Sequence, residues 1–127
     1  MILLDTCALL WWTLEPEKLS PAAARRCRTI RSGGAIVSSI SLWEIGLKIK
    51  KGKLDIGISV EEFVQRIAAL GTVKIIPVDE TVWLQNLRLD WNHADPADRT
   101  IVATAMLHKV PVVTADTVIA AFYRTIW

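Results

Sequence analysis

A chain of 127 residues fits one compact domain and can bury a core without disulfide or metal staples. Its composition, 52% hydrophobic and 22% charged, excludes a disordered chain, and no apolar run is long enough to cross a bilayer as a helix. The net charge of +2 names no partner, and two cysteines, Cys7 and Cys27, are too few for a disulfide framework or a zinc site.

Met1 to Asp5 reads as a short buried strand that ends at a carboxylate. Thr6 to Trp12 reads as a helix that stops before Glu15-Pro16. Ser20-Pro21 opens the next helix, with Ser20 as cap, and Gly33-Gly34 closes it. Ala35 to Ser38 is a second strand. Ser41 then caps a helix in which Glu44, three residues on, has capping-box spacing, and Gly52 ends it. Ser59 caps a fourth helix, with Glu61 and Glu62 in its first turn, that ends at Gly71. Val73 to Val78 is a third strand, followed by a helix from about Glu80 to Leu89. Pro96 to His108 is another helix, Val110 to Thr114 a fourth strand, a short helix follows Asp116, and Arg124 to Trp127 is a last edge strand. Alternating strands and helices predict an α/β fold, a three-layer α/β/α sandwich around a central parallel sheet, as one domain over residues 1–127.

In such sheets a ligand binds outside the carboxyl ends of the strands. Four carboxylates fall there. Asp5 ends the first strand, and Glu44 lies in the first turn of the helix after the second. Asp98 lies in the first turn of the helix before the fourth strand, and Asp116 lies just beyond that strand. Four acids at one edge repel one another unless a cation neutralises them. Mg2+ and Mn2+ favour oxygen ligands, lower the pKa of a bound water and offset charge on a phosphate. Each acid also has a structural reading. Glu44 fits a capping box, and Asp95 and Asp116 suit helix caps. Asp5, at the end of a buried apolar run, has no such alternative partner.

The remaining features divide the same way. Arg25, Arg26, Arg28 and Arg31 form one basic cluster and Lys48, Lys50, Lys51 and Lys53 another; each suits a phosphate backbone or a solvated helix face. Both cysteines are expected as small buried residues. Thr114 suits either a hydrogen bond to a site acid or a plain strand end. Arg99 is expected to pair with Asp95 one turn back, and His93 and His108 to lie on the surface. Of six tryptophans, the adjacent Trp11 and Trp12 are expected to cover apolar surface that a partner buries.

Four segments together carry a family resemblance. Ile-Leu-Leu-Asp-Thr-Cys-Ala-Leu-Leu-Trp-Trp (2–12), Ser-Ser-Ile-Ser-Leu-Trp-Glu-Ile-Gly-Leu-Lys (38–48), His-Ala-Asp-Pro-Ala-Asp-Arg-Thr-Ile-Val-Ala-Thr-Ala (93–105) and Val-Val-Thr-Ala-Asp (112–116) resemble, in order and spacing, the motifs of PIN-domain toxins of the VapC family. The third motif has Ala97 where the family usually has Phe. The resemblance implies a metal-dependent endoribonuclease whose acidic site is Asp5, Glu44, Asp98 and Asp116. It also implies Mg2+ or Mn2+ as cofactor, RNA as substrate, a cognate antitoxin and a homodimer. With no basic segment before Asp5 to suggest a signal peptide, a cytoplasmic location is expected. A weakly catalytic RNA-binding module of the same fold is the alternative. Two other Mg2+-dependent classes fit less well. A haloacid-dehalogenase phosphatase needs an acid at position 7, where Cys7 stands, and a receiver domain needs a lysine in the region 124–127.

Overall fold

Ile2–Leu4 form β1, the central strand of a five-stranded sheet, and all three side chains are buried. β2 (Ala35–Ser38), β3 (Val73–Ile76), β4 (Val112–Val113) and β5 (Thr125–Ile126) complete it in the order β3-β2-β1-β4-β5, with every pair parallel. The computed structural model describes residues 1–127. Leu3 stands opposite Ile36 on one side and Val112 on the other, so β1 has no free edge. β1 and β2 are continuous apolar runs because both faces of a parallel sheet are covered by helices.

The alternation of side chains along β1 distributes the core. Ile2 and Leu4 pack with Leu9 of α1 (Thr6–Leu14), Cys27 of α2 (Pro21–Cys27), Ile30 of α3 (Ile30–Gly33), Ile45 of α4 (Ser39–Lys50) and Phe63 and Ile67 of α5 (Val60–Ala69). Leu3, Ile36 and Val112 face the other way, onto Ile101 and Ala105 of α7 (Pro96–His108). Val82 of α6 (Glu80–Arg88), Val102 and Ala103 of α7, and Ile119 of α8 (Thr117–Ala120) extend that layer. The result is the expected three-layer sandwich.

Boundaries depart from expectation in places that bear on the site. The helix begun at Ser20-Pro21 does not run unbroken to Gly33. It ends at Cys27, where the Thr29 hydroxyl donates to the Arg26 carbonyl at 2.6 Å, and resumes at Ile30 so that this side chain reaches the core. The cap of α4 is Ser38, not Ser41: its hydroxyl accepts the Ile40 N–H at 3.2 Å, while the Val78 N–H donates to the Ser39 hydroxyl at 3.1 Å. The helix therefore starts directly from β2, and Glu44 falls in its second turn, outside any capping box. β4 is shorter than expected, because only Val112 and Val113 find partners on both sides.

Candidate active site

The chain goes outward from β1 through β2 to β3, then returns to lay β4 on the opposite side of β1. That reversal leaves a crevice beyond the carboxyl ends of β1 and β4. A cleft of about 290 Å³ opens there. Asp5, Glu44, Asp98 and Asp116 all line it, with Lys48 and Trp11 on its walls. The largest depression, about 650 Å³, lies elsewhere, around Trp12, Arg28 and Leu70, and contains no carboxylate.

Each acid is fixed by a local hydrogen bond. Asp5, which the sequence reading left without a capping partner, does cap α1, with Oδ1 accepting the Ala8 N–H at 2.8 Å. Asp116 caps α8, and its Oδ1 accepts the N–H of Val118 at 2.7 Å and of Ile119 at 3.3 Å. Glu44 reaches across to α1, where the Thr6 hydroxyl donates to Oε1 at 2.5 Å. Thr6 has one hydrogen to give, so the Ser41 hydroxyl, 2.9 Å from Thr6 Oγ1, is the donor of that second contact. Asp98 Oδ2 accepts from His93 Nε2 at 2.8 Å. A carboxylate only accepts, which places the ring proton on Nε2. Glu44, Asp98 and Asp116 each keep their second oxygen free of protein hydrogen bonds.

Burial and mutual repulsion set the electrostatics. Asp5 is 8% exposed, and this burial pushes its carboxyl up to about 6. The Thr114 hydroxyl and the Ala8 N–H pull it down by less, and the charges of Asp98 and Asp116 push it further up. Burial also raises Glu44, against the Thr6 hydrogen bond and Lys48. It raises Asp98 too, against His93. Carboxyls held above their ordinary range by desolvation and by one another mark a place that attracts positive charge.

Three residues stand differently from their sequence reading. His93 is not a free surface histidine. It is half-buried, bonded to Asp98, and its ring lies 4.8 Å from that of Trp91, which stacks on Phe122 at 4.5 Å. Arg99 does not pair with Asp95. Its guanidinium donates to the backbone carbonyls of Asn86, Leu89, Trp91 and His93 and to Asn86 Oδ1, clamping the loop that precedes α7. Asp95 instead caps α7, with Oδ1 accepting from the N–H groups of Ala97 and Asp98. Cys7 is exposed in the cleft, because the first turn of α1 faces the crevice; Cys27 is buried. The signal for His93 was its place two residues before the capping Asp95, on a loop that must turn toward the cleft. His93, Asp95 and Asp98 each bring one ligand atom within 4.8 Å of the others.

The two adjacent tryptophans diverge. Trp11 turns to the cleft and meets Trp127, ring centroids 5.5 Å apart, whereas Trp12 packs on the core and lines the apolar depressions between α1 and α5. The PIN domain family model matches residues 2–125. The chain belongs to the PIN domain family. Among relatives of this PIN domain, ribonuclease VapC22 of Mycobacterium tuberculosis is 30% identical over 116 residues, covering 91% of this chain and 86% of that protein. The structure resembles that of FitAcB from Neisseria gonorrhoeae with a TM-score of 0.65 at 26% identity, covering 98% of this chain and 96% of the other. A toxin–antitoxin complex from Klebsiella pneumoniae contains a chain of the same PIN fold, with a TM-score of 0.61 at 22% identity, covering 92% and 88%.

Proposed function

We propose that this PIN domain is a divalent-metal-dependent endoribonuclease and the toxin member of a toxin–antitoxin pair. The observation that carries the reading is the convergence of Asp5, Glu44, Asp98 and Asp116 on one cleft at the reversal point of the sheet. Their donor set is oxygen alone, which suits Mg2+ or Mn2+ better than zinc, and the raised carboxyls are the groups a divalent cation returns to the ionised form. Asp5, Glu44, Asp98 and Asp116 are the residues assigned to hold it. Such an ion supplies charge neutralisation at the scissile phosphate and makes a nearby water a better nucleophile. The chain's own groups fix the geometry. Thr6 holds Glu44, His93 holds Asp98, and two helix N-termini hold Asp5 and Asp116. Lys48, exposed at the rim, offers a cation to the incoming phosphate backbone.

The 30% identity to a ribonuclease supports RNA as substrate, and an antitoxin partner is part of the same proposal. The apolar depressions around Trp12, which Leu14, Phe63 and Leu70 also line, suit an antitoxin helix. A homodimer is part of the same proposal. Trp83, Leu84 and Leu87 on α6 are 44%, 49% and 77% exposed, an apolar strip of the kind a second subunit covers. A cytoplasmic location, where cellular RNA is met, belongs to that proposal too; no helix is long and apolar enough to cross a membrane. The test is cleavage of total RNA by the purified chain with Mg2+ or Mn2+, in excess chelator, and as Asp5→Asn. The reading requires cleavage in the first case and none in the other two. Undiminished cleavage in chelator, with metal removal verified, overturns the metal reading. Binding of RNA without cleavage under any metal favours the RNA-binding alternative.

A further inference from the structure

The acids and Lys48 account for phosphate chemistry, but they leave one wall of the cleft unexplained. Trp11 is half-buried on that wall, and Trp127 is 40% exposed beside it, with the rings tilted by 49°. An apolar side chain that served only the core would not be placed among four carboxylates and a lysine. Trp12, its neighbour in sequence, fills the core-facing position, so α1 has no need of a second large ring for packing on the sheet.

We propose that Trp11 and Trp127 form a stacking platform for an unpaired nucleobase next to the scissile phosphate. This rests on the ribonuclease reading above and gives Trp11 and Trp127 the part of holding one base beside the cleft. The geometry suits that ligand in two ways. A tilted, partly exposed aromatic pair offers π-surface at the edge of the cleft, and every base has a matching face. A base held in a duplex is stacked on its neighbours and cannot turn onto such a surface, so only loops, bulges or ends qualify. Trp11 lines the same cleft as Lys48 and the acids, so a base held on it would bring its own phosphate toward them.

Binding is measured by fluorescence anisotropy with Asp5→Asn as background, so that cleavage does not intrude. The probes are a labelled ten-nucleotide oligoadenylate, an abasic oligomer with the same number of phosphates, and a ten-base-pair RNA duplex. Trp11→Leu is expected to weaken oligoadenylate binding about tenfold or more and to leave the abasic oligomer unchanged, while Trp11→Phe retains most of the affinity. The duplex should bind no better than the abasic oligomer. Trp127→Leu, at the edge of the sheet, provides the same test if Trp11→Leu melts early. Equal affinity of parent and both Leu variants for oligoadenylate overturns the platform, as does an equal loss for the abasic oligomer. Duplex binding as tight as oligoadenylate also overturns the platform, because a paired base cannot turn onto it. Failure of the parent to cleave RNA would sink the ribonuclease reading without touching this comparison of binding affinities.

Discussion

Replacing Asp5 by Asn should remove cleavage and at the same time stabilise the metal-free protein. In the folded chain the Asp5 carboxyl titrates at about 6, against an ordinary value of 3.8. The folded value is the higher, so the fold disfavours the ionised form. Stability is full below about pH 4 and declines as pH rises to about 6, beyond which the loss is constant. A difference of about two units, at about 1.4 kcal/mol each, amounts to about 3 kcal/mol at pH 7.5. Asn removes the charge and keeps an oxygen for the Ala8 N–H, and it caps a helix as well as Asp does. In chelator at pH 7.5, Asp5→Asn should therefore melt roughly 10 °C above the parent. At pH 4, where the folded parent is almost fully protonated at this residue and the unfolded chain is only partly ionised there, the gap should fall below about 1 kcal/mol. Saturating Mg2+ should narrow it at pH 7.5 by stabilising the parent alone. Calorimetric melts at the two pH values decide the matter. A variant that melts at or below the parent in chelator at pH 7.5, or a gap unchanged at pH 4, would refute the account of Asp5 as a carboxylate strained by burial.

Other perturbations separate the supporting residues. His93→Ala should lower Mn2+ affinity about tenfold by titration calorimetry, since a ligand's hydrogen-bonded partner commonly contributes that much, and His93→Gln should recover part of it. An equal loss in both variants would assign the effect to packing. Arg99→Lys should destabilise the fold by about 2–3 kcal/mol in denaturant titrations, because a single ammonium cannot serve four carbonyls and an amide oxygen arranged around a planar fork. Trp12→Ala should weaken antitoxin binding tenfold or more while leaving Mn2+ affinity intact, checked by a binding titration beside a melt. Unchanged antitoxin affinity would leave Trp12 as a packing residue.

Much of the fold was legible because parallel α/β sheets write their strands as short apolar runs and their helix starts as Ser, Asp and Pro. Ile2–Leu4 and Ala35–Ser38 are such runs, and Ser20, Ser59 and Asp95 cap as their positions foretold. The grouping of the four acids followed from the rule about strand ends and was reinforced by the resemblance of four segments. What escaped were interactions set by tertiary direction. Arg99 and Asp95 have the spacing of a helical ion pair, yet bare carbonyls in the loop 89–93 compete for a guanidinium more strongly than an exposed carboxylate does. Three candidates for capping, Ser38, Ser39 and Ser41, made the start of α4 ambiguous, and the packing of Ser41 against Thr6 decided it. Nothing in the period of α1 distinguished which of Trp11 and Trp12 would face the cleft.

The strand order has a consequence for synthesis. Asp5 and Asp116 flank one crevice although 111 positions separate them in the sequence, because β4 pairs with the edge of β1 that β2 leaves open. A nascent chain emerging from the ribosome can form α1 and pair β1 with β2 early, but β1 keeps an unfilled edge until β4 has been made. An enzyme that attacks RNA is thus assembled beside the most abundant RNA in the cell with half its cleft missing. The topology delays assembly of the cleft until β4 has been made.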